Sequence, residues 1–344
     1  MTQAVQTARA TVRLAGADGT VVRFLAPATV VLIVIVFATL APGYLAPGNL
    51  LSVASASAIL FMAATAMTIV VRAGGIDLSV GVAIDLAALA SASLISQGYV
   101  AWFALLGGLA FGLLVGVANA FLIVALRIRA FLATLSVWFI GTSVQQLLTD
   151  GGAPIALLRQ RTPDAFAALG NASVAGITVP VLAAVLIGVG AWLLLDRTRW
   201  GRVLTAGGEQ PTATRIAGRR TSASLASAYL LAALIAAFAG VVLASRSYGY
   251  SPAGGQLYVL DAIGAVFIGA TLSRTGRPTV LGTAIGVLIF GLLNNGMVLV
   301  GLSFYWQGLL RGAVLLLLLL AAATLRRESL VPSLRFALRR GVRA

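Results

Sequence analysis

The sequence contains no cysteine, no histidine and no lysine, and all 24 of its basic residues are arginine. Each absence excludes a chemistry. Without lysine there is neither a Walker A phosphate loop nor a Schiff base, so the chain cannot hydrolyse ATP by that device or hold pyridoxal phosphate. Without histidine or cysteine it lacks the usual zinc ligands, the usual base of a Ser-His-Asp triad and any thiol nucleophile. A disulfide framework is excluded as well. Charge is scarce too: 10% of the 344 residues are charged against 60% hydrophobic, and the mean hydropathy is +1.02. That composition lies far outside the soluble range and implies an all-α polytopic membrane protein. The net charge of +15 could suggest nucleic acid, but the arginines flank apolar runs and form no basic domain. The bilayer is the expected partner, and no nucleic acid is.

Windows of about 20 apolar residues predict ten spans, at 24–42, 50–71, 76–97, 101–126, 130–148, 174–195, 222–245, 257–273, 278–298 and 304–325. With the N-terminus in the cytoplasm, twenty arginines fall on the inner side and three on the outer, with Arg311 inside the last span. The bias favours both termini inside. It divides the chain into a cytoplasmic tail at 1–23, a membrane domain at 24–325 and a basic tail at 326–344. The first run is too long for a signal peptide and no small-residue cleavage site follows it, so it is expected to remain as an anchor. Two connecting segments exceed ordinary length, 149–173 outside and 196–221 inside; the outer one, with its glycines and prolines, is expected to form a partly structured cap.

The residues able to carry function are few. Gly74-Gly75-Ile76-Asp77-Leu78-Ser79-Val80-Gly81 sets paired glycines, an acid and a serine between two apolar runs. A charge within a bilayer costs about 2.5 to 3.5 kcal/mol, so it normally faces a cavity, a partner or a substrate path. Asp77, Asp85 and Asp261 are the acids inside spans. The spacing of Asp77 and Asp85 would put them on one helix face about two turns apart. Asn119, Gln145, Gln146, Asn294, Asn295 and Gln307 are amides in apolar sequence. Together with Ser79 these groups could line a route for a neutral, hydroxyl-rich solute. The competing reading is that they bond across helices, a role worth about 0.6 kcal/mol on average. Arg311, near the outer end of its span beside Tyr305 and Trp306, is expected to snorkel to the interface. A short echo links Ala73-Gly74-Gly75-Ile76-Asp77 to Ala253-Gly254-Gly255 followed by Leu260-Asp261, in spans of opposite direction, as an inverted repeat requires.

The segment 74–81 resembles the signature of the permease subunits of ribose-type sugar ABC importers. Phe131-Leu132-Ala133-Thr134-Leu135 is similar to that family's Pro-Phe-x-x-Thr-Leu segment, with Ala130 in place of the proline. The stretch Gly208-Glu209-Gln210-Pro211-Thr212-Ala213-Thr214-Arg215-Ile216-Ala217-Gly218 resembles its cytoplasmic loop with an Ala-Ala-Arg-Leu-x-Gly core. Two late stretches, 260–272 and 282–301, resemble its late helices. The chain departs from the pattern at Arg274-Thr275-Gly276-Arg277-Pro278, where a glycine-rich turn with serine is usual, and at Arg219-Arg220.

The resemblance implies a channel-forming subunit in a bacterial inner membrane, paired with a second permease copy, two ATP-binding-cassette ATPases and an external solute-binding protein. It implies no catalytic residue, no metal and no cofactor of the chain's own, ATP being bound by the partner subunits. Loop 196–221 would couple to the ATPase, with Gly208, Glu209, Arg215 and Gly218 as its marked residues. The path candidates are Asp77, Ser79, Asp85, Asn119, Gln145, Asp261, Asn294 and Asn295. The alternative is an ion-coupled secondary transporter, with Asp77 or Asp261 carrying the ion. An intramembrane aspartyl protease is disfavoured, because Ile76 stands where a Gly-x-Gly-Asp pattern needs glycine.

Overall fold

The computed structural model describes residues 24–273 and 275–325. The expected tails, 1–23 and 326–344, lie outside the described residues. The helices are α1 Phe24–Leu40, α2 Pro47–Arg72, α3 Val80–Ser96, α4 Ala101–Ala120, α5 Ala130–Leu148, α6 Asp164–Asn171, α7 Val179–Trp192, α8 Arg199–Glu209, α9 Pro211–Ile216, α10 Thr221–Ser247, α11 Leu257–Leu272, α12 Val280–Leu299 and α13 Phe304–Leu325. Single π turns extend α4 to Ala125 and α7 to Arg197. Six of these helices (α2, α4, α5, α7, α10 and α12) are long and apolar enough to cross a bilayer, and α1, α3, α11 and α13 contain shorter apolar helical runs. The protein is an all-α polytopic membrane protein.

Extended structure among the described residues amounts to two short pairings. Strand β1, Ile155–Ala156, pairs antiparallel with β4, Gly249–Tyr250, and β2, Ser173–Val174, pairs with β3, Ile177–Thr178. The long segment 149–173 therefore carries β1, α6 and the start of β2, the partly structured cap that its glycines and prolines suggested. The other long segment, 196–221, carries α8 and α9.

Helix α3 sits at the centre, with 14 of its 17 residues buried, Asp85 and Ser91 among them. It packs on α4 and α10, which also pack on each other, while α2 runs against α7, α10, α11 and α12. Small residues make this possible. Gly108, Gly112 and Gly116 recur every fourth residue along α4, and a Cβ at any of them would meet α10 side chains at 2.4 to 2.6 Å. Such stripes let helices approach closely where lipid supplies no hydrophobic driving force between them. The same device joins α11 to α12, where a Cβ on Gly269 would meet Gly282 at 2.4 Å and one on Gly286 would meet Ala265 at 2.3 Å.

Two helices follow non-helical stretches, and α3 begins later than its expected span. Helix α2 ends in a Schellman motif: Gly74 adopts φ +85°, the Gly75 N–H donates to Val70 O, and the Gly74 N–H donates to Val71 O. Glycine is needed at such a left-handed C′ position. The chain then stays non-helical to Ser79, so Asp77 precedes α3 and does not share a helix face with Asp85. That corrects the eight-residue spacing argument: an apolar run reads as helix whether or not its backbone is wound. Helix α10 ends on a left-handed Tyr248, and residues 248–256 run non-helically into α11.

Candidate functional site

The first interruption, 73–79, is held by an internal bond and by groups from three helices. Asp77 Oδ1 accepts from both the N–H and the Oγ of Ser79, at 2.9 and 2.6 Å. This is a local Asx turn two residues long, and it sets an acid at the start of α3, where the helix dipole favours negative charge. Asn119 on α4 donates Nδ2 to Ser79 Oγ at 2.7 Å, and Thr134 on α5 donates to Ile76 O at 3.2 Å. Tyr229 on α10 lies against Gly75, where a Cβ would come within 2.4 Å of its hydroxyl. Asp77, Ser79, Asn119 and Tyr229 are all buried.

The second interruption, 248–256, is anchored from further away. Asp85 Oδ1 on α3 accepts the Gly255 N–H at 2.5 Å. Tyr250 donates its hydroxyl to Gln145 Oε1 on α5 at 2.8 Å, and Gln256 donates to Thr142 on the same helix at 3.0 Å. The second interruption meets the first turn of α3: a Cβ on Gly255 would lie 2.4 Å from Gly81 O. Along α10 the contact moves from Tyr229, beside Gly75, to Gly240, beside Ile84. That is eleven residues, about 16 Å at 1.5 Å per residue. The stretch from Gly75 to Ile84 thus climbs well into the protein, its last five residues already in α3.

Between α2, α11, α12 and α13 lies a cleft of about 450 Å³, lined among others by Ser57, Asp261, Asn294, Asn295, Gln307 and Arg311. Asn295 and Asn49 exchange amide hydrogen bonds at 2.9 and 3.0 Å. Arg311 Nη1 pairs with Asp261 Oδ2 at 3.1 Å, both side chains 19% exposed. A carboxylate on the neighbouring helix thus neutralises Arg311, a partner the snorkelling expectation did not include. Arg246 also lines the cleft. Ser57 Oγ, Asp85 Oδ2, Asn119 Oδ1 and Gln145 Nε2 are buried with no partner among the described residues. They leave donors and acceptors of the kind that suit hydroxyl groups.

The eight path candidates thus separate into three groups: Asp77, Ser79 and Asn119 at the first interruption; Asp85 and Gln145 at the second; and Asp261, Asn294 and Asn295 in the cleft.

The end of the molecule bearing α8 and α9 is built on ion pairs. Thr198 caps α8 by accepting from the Gly201 N–H at 3.2 Å, and Trp200 donates to Ser227 on α10 at 2.8 Å. Arg72, its side chain 8% exposed, donates to Thr205 on α8 at 3.0 Å, to Pro278 O at 3.0 Å and to Asp196 at 2.9 Å. Arg277 forms a two-pronged ion pair with Glu209. These residues border a polar cavity of about 500 Å³. Helix α9 borders it through Thr214, its one buried residue, while Arg215 is exposed and Ile216 is 83% exposed. Gly208 and Glu209 close α8, Arg215 lies in α9, and Gly218, at φ +72°, follows α9. Sequence reasoning did not find Arg72, Tyr229, Tyr250 or the Arg277–Glu209 pair. Arg277 was visible as a departure, and Arg72 as a lone arginine one residue short of the paired glycines.

Comparison with known proteins follows the same outline. Residues 49–319 match the family described as branched-chain amino acid transport system / permease component. The ribose import permease protein of Escherichia coli K12 is 34% identical over 290 residues, covering 84% of this chain and 90% of that protein. The ribose import permease protein of Bacillus subtilis is 36% identical over 286 residues, 83% and 88% of the two chains. The fructose import permease protein of Rhizobium meliloti is 32% identical over 306 residues, 85% and 84%. No solved structure matches. The family is one of transport permeases and not of enzymes, and the chain belongs to it: a branched-chain amino acid transport system / permease component family member.

Proposed function

We propose that the chain is the membrane subunit of an ATP-binding-cassette importer that moves a neutral sugar across the bacterial inner membrane. In this reading all ten apolar helices cross the bilayer with both termini cytoplasmic. Two permease copies assemble with two ATPase subunits and receive solute from an external binding protein. The chain itself binds no nucleotide, metal or cofactor. Its lack of lysine, and so of a Walker A loop, supports this division of labour. The relatives that carry import permease names support the importer over the ion-coupled alternative.

The observation that carries the solute class is the cleft. Its Asp261–Arg311 pair is self-neutralised, and its other polar groups include Ser57, Asn294 and Asn295, which donate to and accept from hydroxyls. The interruptions at 73–79 and 248–256, with their acids and amides, are the mobile ends of the path, arranged as an inverted pair. Loop 196–221 docks the ATPase through α9, whose exposed Ile216 is the apolar tip such a contact uses. The test is competition against labelled ribose uptake in cells making the full complex. Excess neutral pentoses and hexoses should compete, whereas amino acids and sugar acids should not. Competition by sugar acids instead would assign Arg246 a solute anion and refute neutrality.

A further inference from the structure

The end of α8 touches both halves of the interrupted core. Gly208 abuts the first interruption backbone to backbone: a Cβ there would lie 2.6 Å from Arg72 O and 2.7 Å from the Ala73 carbonyl carbon. In return, a Cβ on Gly74 would lie 2.9 Å from Gly208 O. One residue on, Glu209 grips Arg277, in the turn joining α11 to α12. Arg72 ties the same parts from below by reaching Thr205, Pro278 O and Asp196. Gly207, by contrast, faces only the Thr221 side chain, at 3.3 Å.

We propose that Gly208 and Glu209 are positioning residues that transmit the ATPase's movement to the two halves of the path at once. Gly208 acts through its contact with Gly74, and Glu209 through its ion pair with Arg277. This rests on the reading that α9 docks the ATPase, and it adds where the motion goes next. Backbone in direct contact passes displacement without the slack of a side chain. The Glu209–Arg277 pair is half exposed, at 41% and 45%, so it adds little to stability. Its fork-to-fork geometry fixes orientation instead. The pair also gives the Arg277 departure a role: it links α8 to the α11–α12 turn directly.

The experiment uses the reconstituted complex and reads solute moved per ATP hydrolysed. Gly208→Ala should lower that ratio by about tenfold, within the range of a typical intersite coupling, while Gly207→Ala leaves it unchanged. E209R and R277E should each lower it several-fold, and the double variant E209R/R277E should return it to within about twofold of the parent. Because the chain has no cysteine, Ala213→Cys, at an exposed position of α9, provides a single cross-linking site that reports docking separately. Retained cross-linking with a lowered ratio supports the proposal. A normal ratio in Gly208→Ala, or single charge variants that the double variant does not rescue, overturns it. Should Gly208→Ala fail to assemble, the charge pair decides. If Ala213→Cys never captures an ATPase in the otherwise parental chain, the docking reading falls and the proposal falls with it.

Discussion

The two interruptions, 73–79 and 248–256, do similar work with different materials. Both follow a long helix that ends on a left-handed residue, Gly74 in one and Tyr248 in the other. Both lead into a helix shorter than its neighbours, 17 residues for α3 and 16 for α11. The first carries an internal cap, Asp77 on Ser79 two residues away, beside its bonds from Asn119 and Thr134 on other helices. The second depends on partners far along the chain: Asp85 is 170 residues from Gly255 and Gln145 is 105 from Tyr250. An internally capped turn keeps more of its own shape while its surroundings shift. A turn whose side-chain bonds all reach other helices follows them. The pair therefore divides into an internally capped element at the α8 end and a follower on the side of the β1–β4 pairing, which touches Gly81 in the first turn of α3 through Gly255.

The contrast is broken most severely at Asp77. Asp77→Ala removes the acceptor of both the Ser79 N–H and its Oγ–H in a buried site, costing about 1 to 3 kcal/mol for each donor left unsatisfied. Uptake should fall below detection while the protein remains in the membrane. Asp77→Asn keeps one acceptor but loses the charge at the α3 start, and should also cut uptake strongly. Normal uptake by both variants at parental membrane levels would remove Asp77 from the functional set. Gly255→Ala acts on the follower through packing, driving a Cβ to 2.4 Å from Gly81 O. Overpacking of this kind costs about 1 to 3 kcal/mol, to be read as a lower midpoint of thermal unfolding in detergent. Gly254→Ala, whose nearest contact is 3.1 Å, should cost less; equal losses would mean that the contact between the second interruption and α3 is not the tight one. The smallest effect belongs to Tyr250→Phe, which removes one hydrogen bond to Gln145, worth about 1 kcal/mol. Uptake should drop modestly with no loss of expression, and a collapse as deep as that of Asp77→Ala would erase the distinction between the two turns.

The same contrast explains what the sequence could disclose. Asp77 and Ser79 were legible together because their bond is local and paired glycines precede them. The ten apolar windows were legible because hydropathy depends on composition alone. Where α3 starts was not, since residues 76–79 look much like the helix they precede, and only the left-handed Gly74 and the Asx turn keep them unwound. The partners of Asp85, Gln145 and Asp261 were hidden for another reason. Each is fixed by helix packing across 170, 105 and 50 residues, and nothing in a single sequence ranks one distant partner over another. Arg311 shows the consequence. Its place near aromatic residues at a span end suggested snorkelling, yet a carboxylate one helix away is its partner. The Arg277–Glu209 pair was half visible, each member being marked for a separate reason and the two joined only by the fold.

The most direct measurement is sugar uptake into proteoliposomes carrying this permease, with and without its ATPase and binding-protein partners, at fixed ion gradients. The account predicts ribose or a similar neutral sugar accumulating only when all partners and ATP are present, with no response to sodium or proton gradients. Accumulation by the permease alone, driven by an ion gradient, would contradict it.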